Sequence, residues 1–77
     1  MQFMNETIDA KGLLCPLPVL RLRKRIRLLA TGDVIVLISD DPAAVIDVPH
    51  FCSEAGHTLI SICEESGAKH FLVRKGA

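Results

Sequence analysis

The sequence predicts an α/β (α+β) two-layer sandwich in which two helices cover one face of a four-stranded mixed sheet. Two segments carry apolar residues at helical spacing, and four apolar or β-branched runs of strand length surround them in the order β-α-β-α-β-β. Right-handed crossovers would place both helices on the same face of that sheet. With 77 residues there is room for one core only, so residues 1–77 are expected to form a single domain.

The first predicted strand covers residues 6–10 and ends at a turn that contains Gly12. The first predicted helix covers residues 16–30. Its apolar residues recur at spacings of three and four, which places them on one face: Val19, Leu22, Ile26 and Leu29. Pro16 suits the first helical position, because its missing N–H would have no partner there. Cys15 is therefore predicted at the N-cap.

The second strand is predicted at residues 34–39, where the run VIVLIS is almost entirely apolar and rich in β-branched residues. The second helix is predicted over residues 42–55, with Asp40 or Asp41 as its cap. Pro49 would kink or restart this helix, which is treated as one imperfect element. Its predicted core-facing residues are Val45, Val48, Cys52 and Ala55.

Gly56 is predicted to end the second helix as a C-terminal cap. Strands at residues 58–63 and 70–75 complete the sheet, and the segment EESGAK between them is predicted to contain a hairpin turn. Cys52 lies on the apolar stripe of the second helix and Cys63 inside a strand, so both thiols are predicted to pack in the core.

Composition limits the class of protein. No apolar run approaches the roughly 20 residues of a membrane span, and the N-terminal segment MQFMNETIDA lacks the charged and hydrophobic regions of a signal peptide. The three cysteines form no C-x-x-C pair, so neither a disulfide framework nor a metal site is expected. We expect a soluble protein of the reducing cytoplasm, with no cofactor and no association with membranes.

Cys15 is the candidate reactive group. At a helix N-terminus, the helix dipole would lower the pKa of this thiol from about 8.5 and so increase its nucleophilic fraction. Pro16 and Pro18 limit the effect, since neither has an N–H, which leaves Leu17 and Val19 as nearby backbone donors. The expected result is a moderately lowered pKa. The alternative is that Cys15 is a small buried apolar side chain, but two prolines that hold the backbone rigidly favour a thiol presented at the surface.

The residues near Cys15 in sequence indicate which chemistry the thiol can perform. No His, Asp or Glu occurs between Asp9 and Asp33, so hydrolysis by a Cys-His pair has poor support. Sulfur exchange remains, in which an exposed thiolate attacks an activated sulfur and later passes it on. That reaction needs a nucleophile, access and a partner rather than a local base.

The segment DAKGLLCPLP, from Asp9 to Pro18, resembles the D-x-x-G-x-x-C-P-x-P signature of the TusA/SirA-like sulfur carrier family of CPxP-motif sulfurtransferases. The similarity continues through GD (32–33), DDPAAVIDVPHFCSEAGH (40–57) and FLVRKG (71–76). It implies the β-α-β-α-β-β sandwich, a fold also similar to the C-terminal domain of a bacterial translation initiation factor. It also implies that Cys15 carries a persulfide, with motif residues Asp9, Gly12, Pro16 and Pro18 supporting the thiol.

The same resemblance implies two kinds of protein partner. A cysteine desulfurase or a rhodanese-type protein would donate the sulfur, and a downstream acceptor protein would receive it. Members of the family serve 2-thiouridine synthesis at the tRNA wobble position, sulfur oxidation or cofactor assembly. The tRNA-thiolating members typically carry C-P-E-P, whereas this chain has Leu17 between the prolines. That departure leaves the identity of the acceptor open.

A basic segment follows the motif and is the candidate docking surface. It contains Arg21, Arg23, Lys24, Arg25 and Arg27, and leucines lie among them on the outer face of the predicted helix. The predicted partner-docking residues are Leu17, Leu20, Arg21, Lys24, Arg25 and Leu28. A solvated helix face and direct RNA binding are the alternatives. RNA binding is disfavoured, because the only aromatic residues, Phe3, Phe51 and Phe71, are distant from this segment in sequence.

The sequence therefore favours a sulfur carrier, rather than a turnover enzyme with its own substrate pocket. One rival is an RNA-binding or translation-linked regulatory module that uses the basic first helix. A second rival is a thiol redox protein, which would pair Cys15 with Cys52 or Cys63. Five further residues of the family-like segment are predicted to be structural: Asp47, Pro49, His50, Phe51 and His57.

Overall fold

The computed structural model describes residues 5–76 and contains six elements in the predicted order. They are β1 (Asn5–Asp9), α1 (Leu17–Ile26), β2 (Val34–Ser39), α2 (Ala44–Ala55), β3 (Thr58–Glu65) and β4 (Ala68–Arg74). Both helices pack on one face of the four-stranded sheet, which confirms the predicted fold class. Within residues 5–76, no helix is long and apolar enough to cross a membrane.

The strand order is β1-β2-β4-β3. β1 pairs with β2 in parallel, and β4 runs antiparallel to both β2 and β3, so the sheet is mixed. β2 is an inner strand with a neighbour on each side, which explains its nearly continuous apolar sequence. β1 and β3 form the two edges. Because β1 and β2 are parallel neighbours, the loops that follow them leave the sheet at the same end.

The core lies between the sheet and the two helices. Leu22 and Ile26 of α1 are fully buried against it, while Val19 and Leu29 are half-buried, as the predicted stripe requires. The other core residues of the helices and strands are Ile8, Ile35, Leu37, Ala44, Val48, Cys52, Phe71 and Val73. These side chains alternate along the strands, so one sheet face is covered by helices and the other is open.

α2 is a single helix that contains Pro49, in agreement with its treatment as one element, and Gly56 caps its C-terminus in the left-handed conformation. Its buried face differs from the prediction. Val48 and Cys52 are buried, but Val45 and Ala55 are exposed. The core side is instead formed by residues 44, 48 and 52, which follow one another at a spacing of four. The buried face of α2 is therefore turned about the helix axis relative to the predicted one.

α1 ends at Ile26, four residues before the predicted end. Beyond it the amides of Leu28 and Leu29 donate to carbonyls three residues earlier in the chain. This spacing is shorter than the four residues of an α-helix, so the α-helix ends there. Nζ of Lys75 then donates to the carbonyls of Arg27 and Leu29, at 3.3 and 2.6 Å. A lysine from the last strand region thus satisfies the carbonyls at this helix end.

The β3–β4 hairpin is longer than predicted, because only two residues form its turn. Ser66 and Gly67 have φ angles of 53° and 80°, the type I′ geometry that matches the twist of the flanking strands. Residues predicted as loop therefore belong to the strands, and Lys69 Nζ pairs with Glu64 Oε1 across them at 2.9 Å.

The prediction that Cys63 is buried is wrong. Cys63 is exposed and lies opposite His70 in the register of β3 and β4. His70 is next to buried Phe71 in β4, and successive side chains of a strand point to opposite faces. His70 and its partner Cys63 therefore lie on the open face of the sheet. An apolar strand at a sheet edge does not reveal which of its faces the helices cover.

Candidate functional site

Cys15 is exposed in the loop between β1 and α1. The predicted N-cap position is wrong by one residue, because Pro16 occupies it and α1 begins at Leu17. The amide of Leu17 donates to the carbonyl of Leu14 at 2.9 Å, and the carbonyl of Pro16 accepts the amide of Leu20 at 3.1 Å. Cys15 thus lies in a turn just outside the helix. The Cys15–Pro16 peptide bond is cis.

Three aspartates hold the loop that presents the thiol. Oδ1 of Asp9 accepts the amide of Lys11 at 3.0 Å, and Oδ1 of Asp40 accepts the amide of Gly12 at 3.0 Å. Oδ2 of Asp41 accepts the amide of Cys15 itself at 2.7 Å. Gly12 has a φ of 83°, a conformation that favours glycine. Of the motif residues, Asp9 therefore ends β1 and Gly12 lies in the turn before the thiol.

Asp41 connects the thiol loop to the start of α2. Its side chain is buried, with Oδ2 bound to Cys15 and Oδ1 accepting the amide of Ala43 at 3.3 Å. Its own amide donates to Ser39 Oγ at 3.2 Å. The prediction that Asp40 or Asp41 caps α2 is wrong, since Ala43 occupies the N-cap without a side-chain bond. The two carboxylates fix the loop that carries Cys15 instead.

The pKa of the Cys15 thiol is raised, so the predicted lowering is wrong. The largest cause is the side-chain hydrogen bond to Asp47, followed by partial desolvation and by the negative charges of Asp47 and Asp41. Carboxylates beside a thiol disfavour the thiolate. The helix dipole cannot compensate here, because Leu14 already uses the amide of Leu17 and the two prolines provide no donors. The resting site therefore favours a protonated thiol.

Asp47 is the site residue that sequence reasoning missed, since it was predicted to be structural. It lies in the first turn of α2, 32 positions from Cys15 in the chain. The signal that could have found it is the parallel pairing of β1 and β2. Loops after parallel neighbours leave the same end of a sheet, which brings the start of α2 to the Cys15 loop.

Known proteins resemble this chain in sequence and in fold. The family model described as Sulfurtransferase TusA matches residues 6–75, nearly the whole chain.

This chain belongs to the TusA family.

Among solved structures, the crystal structure of a SirA-like protein from Desulfitobacterium hafniense has a similar fold. The TM-score is 0.82 at 24% sequence identity, over 94% of this chain and 99% of that chain.

In this TusA-family chain the thiol lies among exposed apolar side chains. Leu14 and Leu17 flank the CP turn and are 68% and 48% exposed. We refer to Leu14 and Leu17 as the apolar rim. Large apolar side chains clustered on a surface are typical of protein contact sites.

The predicted docking residues fall into three groups, two on α1 and one just beyond it. Leu17, Leu20 and Arg21 lie in the first turns, next to the Cys15 loop, and all three are exposed. Lys24 and Arg25 lie farther along, and Arg25 pairs with Glu6 of β1. Leu28 follows the end of the helix and is 72% exposed. A helix of ten residues is about 15 Å long, so Leu28 is distant from the thiol.

Of the two motif prolines, Pro16 is exposed and Pro18 is buried.

The other two thiols do not lie with Cys15. All three cysteines are free, with Cys52 in the core and Cys63 on the open face of edge strand β3. Cys15 follows the opposite edge strand, β1. A disulfide requires Cα atoms within about 7 Å, so this arrangement gives no support to the rival redox pairing.

Proposed function

We propose that this chain is a sulfur carrier whose Cys15 accepts sulfur from a donor protein as a persulfide and passes it to an acceptor protein. The observation that carries the proposal is the exposed Cys15 thiol in a loop held by buried Asp41, in a chain of the sulfurtransferase family. A carrier needs its sulfur within reach of a second protein, and this thiol is presented at the surface on a fixed backbone.

The transfer is an exchange between sulfurs without net oxidation. The Cys15 thiolate attacks the outer sulfur of the donor's persulfide, which forms a new S–S bond on Cys15. The donor's own S–S bond breaks, and the donor cysteine leaves with the electron pair as a thiolate. An acceptor thiolate then attacks the outer sulfur on Cys15, which releases Cys15 as a thiolate. No cofactor or metal takes part in either step.

Asp47 controls the proton in the first step. The resting thiol is protonated because the Asp47 carboxylate accepts its hydrogen bond and raises its pKa. The proton must leave as the sulfur attacks, and Asp47 is the adjacent acceptor. Such a thiol reacts slowly with small oxidants in solution, since the thiolate is the nucleophile. A docked donor that screens Asp47 would increase the thiolate fraction where it is needed.

The surface around Cys15 suits protein partners. The apolar rim would contact a partner's apolar side chains, and the basic residues of α1 would attract an acidic surface. We assign the donor role to a cysteine desulfurase or a rhodanese-type protein of the cytoplasm, where free thiols persist. Leu17, in place of the glutamate of the tRNA-thiolating members, leaves three acceptor pathways: 2-thiouridine synthesis in tRNA, sulfur oxidation and cofactor assembly.

Sulfur loading tests the proposal. The protein is incubated with a cysteine desulfurase and cysteine, and its intact mass is measured under non-reducing conditions. The wild type should gain the mass of one sulfur atom and Cys15→Ser should gain none. Cys63→Ser is the matched control, because Cys63 is the other exposed thiol, and it should load like the wild type. Equal loading of Cys15→Ser and wild type would refute the proposal.

The RNA-binding alternative is supported by one observation, the exposed basic residues of α1. The aromatic residues argue against it. Phe71 is fully buried and Phe51 packs against the core and His57, so neither offers a free face to a base. Phe3 lies outside the described residues. Salt-dependent RNA binding that survives Cys15→Ser, together with no sulfur loading, would favour this alternative.

A further inference from the structure

A groove of about 550 Å³ lies between edge strand β1 and helix α1. Its lining residues are Glu6, Thr7, Ile8 and Asp9 of β1 with Arg21, Lys24 and Arg25 of α1. One wall is therefore the edge strand and the other is a cationic helix. The two walls offer different kinds of contact to a ligand.

Among residues 5–76, the backbone groups on the outer edge of β1 have no hydrogen-bond partner. Ala10 donates its amide to the carbonyl of Ile38 in β2 at 2.8 Å, and β1 residues alternate in the direction of their backbone groups. Glu6 and Ile8 therefore point toward β2, whereas Thr7 and Asp9 direct both N–H and C=O outward. In the part of the chain that the structure describes, no strand pairs with this outer edge. An unpaired edge is a template for another strand.

The cations of the groove lie on the helix side of that edge. Arg25 is already paired with Glu6. Arg21 and Lys24 are three residues apart, which makes them neighbours on one helix face, and neither has an ion-pair partner among residues 5–76. Asp9 accepts the amide of Lys11 and belongs to the opposite, open face of the sheet. The helix side of the groove therefore has two uncompensated positive charges.

We propose that this groove binds an extended acidic segment of a partner protein, which pairs with β1 as a fifth strand. The backbone of the segment would bond to the outward groups of Thr7 and Asp9. Successive side chains of a strand point to opposite faces, so acidic residues at every second position would face Arg21 and Lys24. Strand addition of this kind takes its affinity from main-chain bonds and its specificity from the alternating side chains.

A peptide fits this groove better than the other possible occupants. The free edge offers both donors and acceptors, whereas the phosphates of a nucleic acid only accept hydrogen bonds. A second copy of this chain, paired edge to edge about a two-fold axis, would place its α1 on the same face of the continuous sheet. Arg21 and Lys24 of the two copies would then approach one another, which is unfavourable.

The position of the groove relates it to the thiol without making it depend on sulfur chemistry. The C-terminal end of β1 and the N-terminal end of α1 both adjoin the Cys15 loop, so Asp9 and Arg21 mark the end of the groove nearest the thiol. A segment bound there would lie beside Cys15. The groove proposal is decided by peptide binding, whereas the proposed function is decided by sulfur loading, so either can fail alone.

The test uses a short synthetic peptide of alternating glutamate and valine, titrated into the ¹⁵N-labelled protein. The expected result is saturable binding, with the largest amide shifts at Thr7 and Asp9 and slowed hydrogen exchange of both amides. Two control peptides separate the contributions. One has lysine in place of glutamate, and the other carries N-methyl groups on the amides that would face β1. Both should bind at least about tenfold more weakly, a loss of about 1.4 kcal/mol.

Variants of the protein locate the two walls of the groove. Arg21→Glu/Lys24→Glu should weaken acidic-peptide binding about tenfold or more. Arg23→Glu/Arg27→Glu, the matched control outside the groove lining, should have a much smaller effect. Thr7→Pro removes an outward donor and leaves the bonds to β2, a substitution that edge strands tolerate. It should weaken the acidic peptide while leaving sulfur loading intact.

Four results would overturn the proposal. Equal binding of the N-methylated and unmodified acidic peptides would show that no strand is added. Equal effects of the two charge-reversal pairs would show general attraction to a basic helix. Tighter binding of a single-stranded oligonucleotide of equal charge, lost in Arg21→Glu/Lys24→Glu, would assign the groove to nucleic acid. A wild-type dimer that Thr7→Pro converts to monomer would assign the edge to a second copy. The peptide controls remain decisive if Thr7→Pro does not fold.

Discussion

The amide of Cys15 donates a hydrogen bond to Oδ2 of Asp41 at 2.7 Å. The two residues are 26 positions apart, and the bond joins the loop after β1 to the loop after β2. Hydrogen bonds to a charged acceptor are shorter and stronger than those between neutral groups. Because Asp41 is buried and its other oxygen holds Ala43, the position of the thiol depends on the parallel pairing of the first two strands.

Replacing Asp41 should therefore loosen the thiol loop and destabilise the protein. Asp41→Ala leaves the amides of Cys15 and Ala43 without these acceptors, and we expect a loss of about 1–3 kcal/mol in the free energy of unfolding. Urea titration measures this loss. Asp40→Ala is the matched control, since Asp40 holds only the exposed Gly12 amide, and it should cost less. Equal losses in the two variants would show that Asp41 stabilises the thiol loop no more than Asp40 does.

Neutralising Asp47 should make Cys15 more reactive at neutral pH. The carboxylate raises the pKa of the thiol through a hydrogen bond and its charge, and Asp47→Asn removes that charge. The pH at which alkylation by iodoacetamide reaches half its maximal rate should shift downward, with a faster rate at pH 7. Glu54→Gln is the control, because it removes an exposed carboxylate of the same helix that pairs with His50. An unchanged pH profile in Asp47→Asn would contradict the assignment.

His57 should make stability depend on pH in the acidic range. Burial and the nearby charge of Lys75 lower the pKa of His57, and its Nδ1 accepts the amide of Gly76 at 2.9 Å. A lowered folded-state pKa means that folding favours the neutral ring. The contribution of His57 to the free energy of unfolding is complete above the unfolded-state pKa of about 6.5. This contribution is lost as the pH falls from there through the folded-state pKa.

His57→Asn isolates this dependence, since the asparagine side chain can retain an acceptor for the Gly76 amide without titrating. Thermal unfolding at pH 7.5 and pH 5 should show a smaller decrease for His57→Asn than for the wild type. An equal decrease in both proteins would assign the acid sensitivity to other groups.

Local patterns were sufficient to predict the architecture. The spacing of Leu22 and Ile26 identifies the buried side of α1, and the apolar, β-branched run at residues 34–39 identifies strand β2. Gly56 marked the end of α2 because a left-handed cap favours glycine. Each of these features depends on residues within one or two turns of each other, so the sequence contains the information directly.

The electrostatic setting of Cys15 could not be predicted in the same way. Its pKa depends on Asp47 and Asp41, which reach the thiol only through the long-range pairing of β1 with β2. The helix dipole acts through the adjacent backbone only, so it predicts the wrong direction for the pKa of Cys15. The predicted burial of Cys63 is wrong for a related reason. Which face of an edge strand becomes buried depends on where the helices pack.

The most direct test of the sulfur-carrier account locates the transferred sulfur atom. The protein is loaded by a cysteine desulfurase with ³⁴S-cysteine, alkylated, digested and mapped by tandem mass spectrometry, with exposed Cys63 as the internal control. A sulfur carrier should hold the labelled outer sulfur on the peptide containing Cys15, and should lose it when an acceptor thiol is added before alkylation. Label on Cys63 in place of Cys15, or label on Cys15 that no acceptor thiol removes, would contradict it.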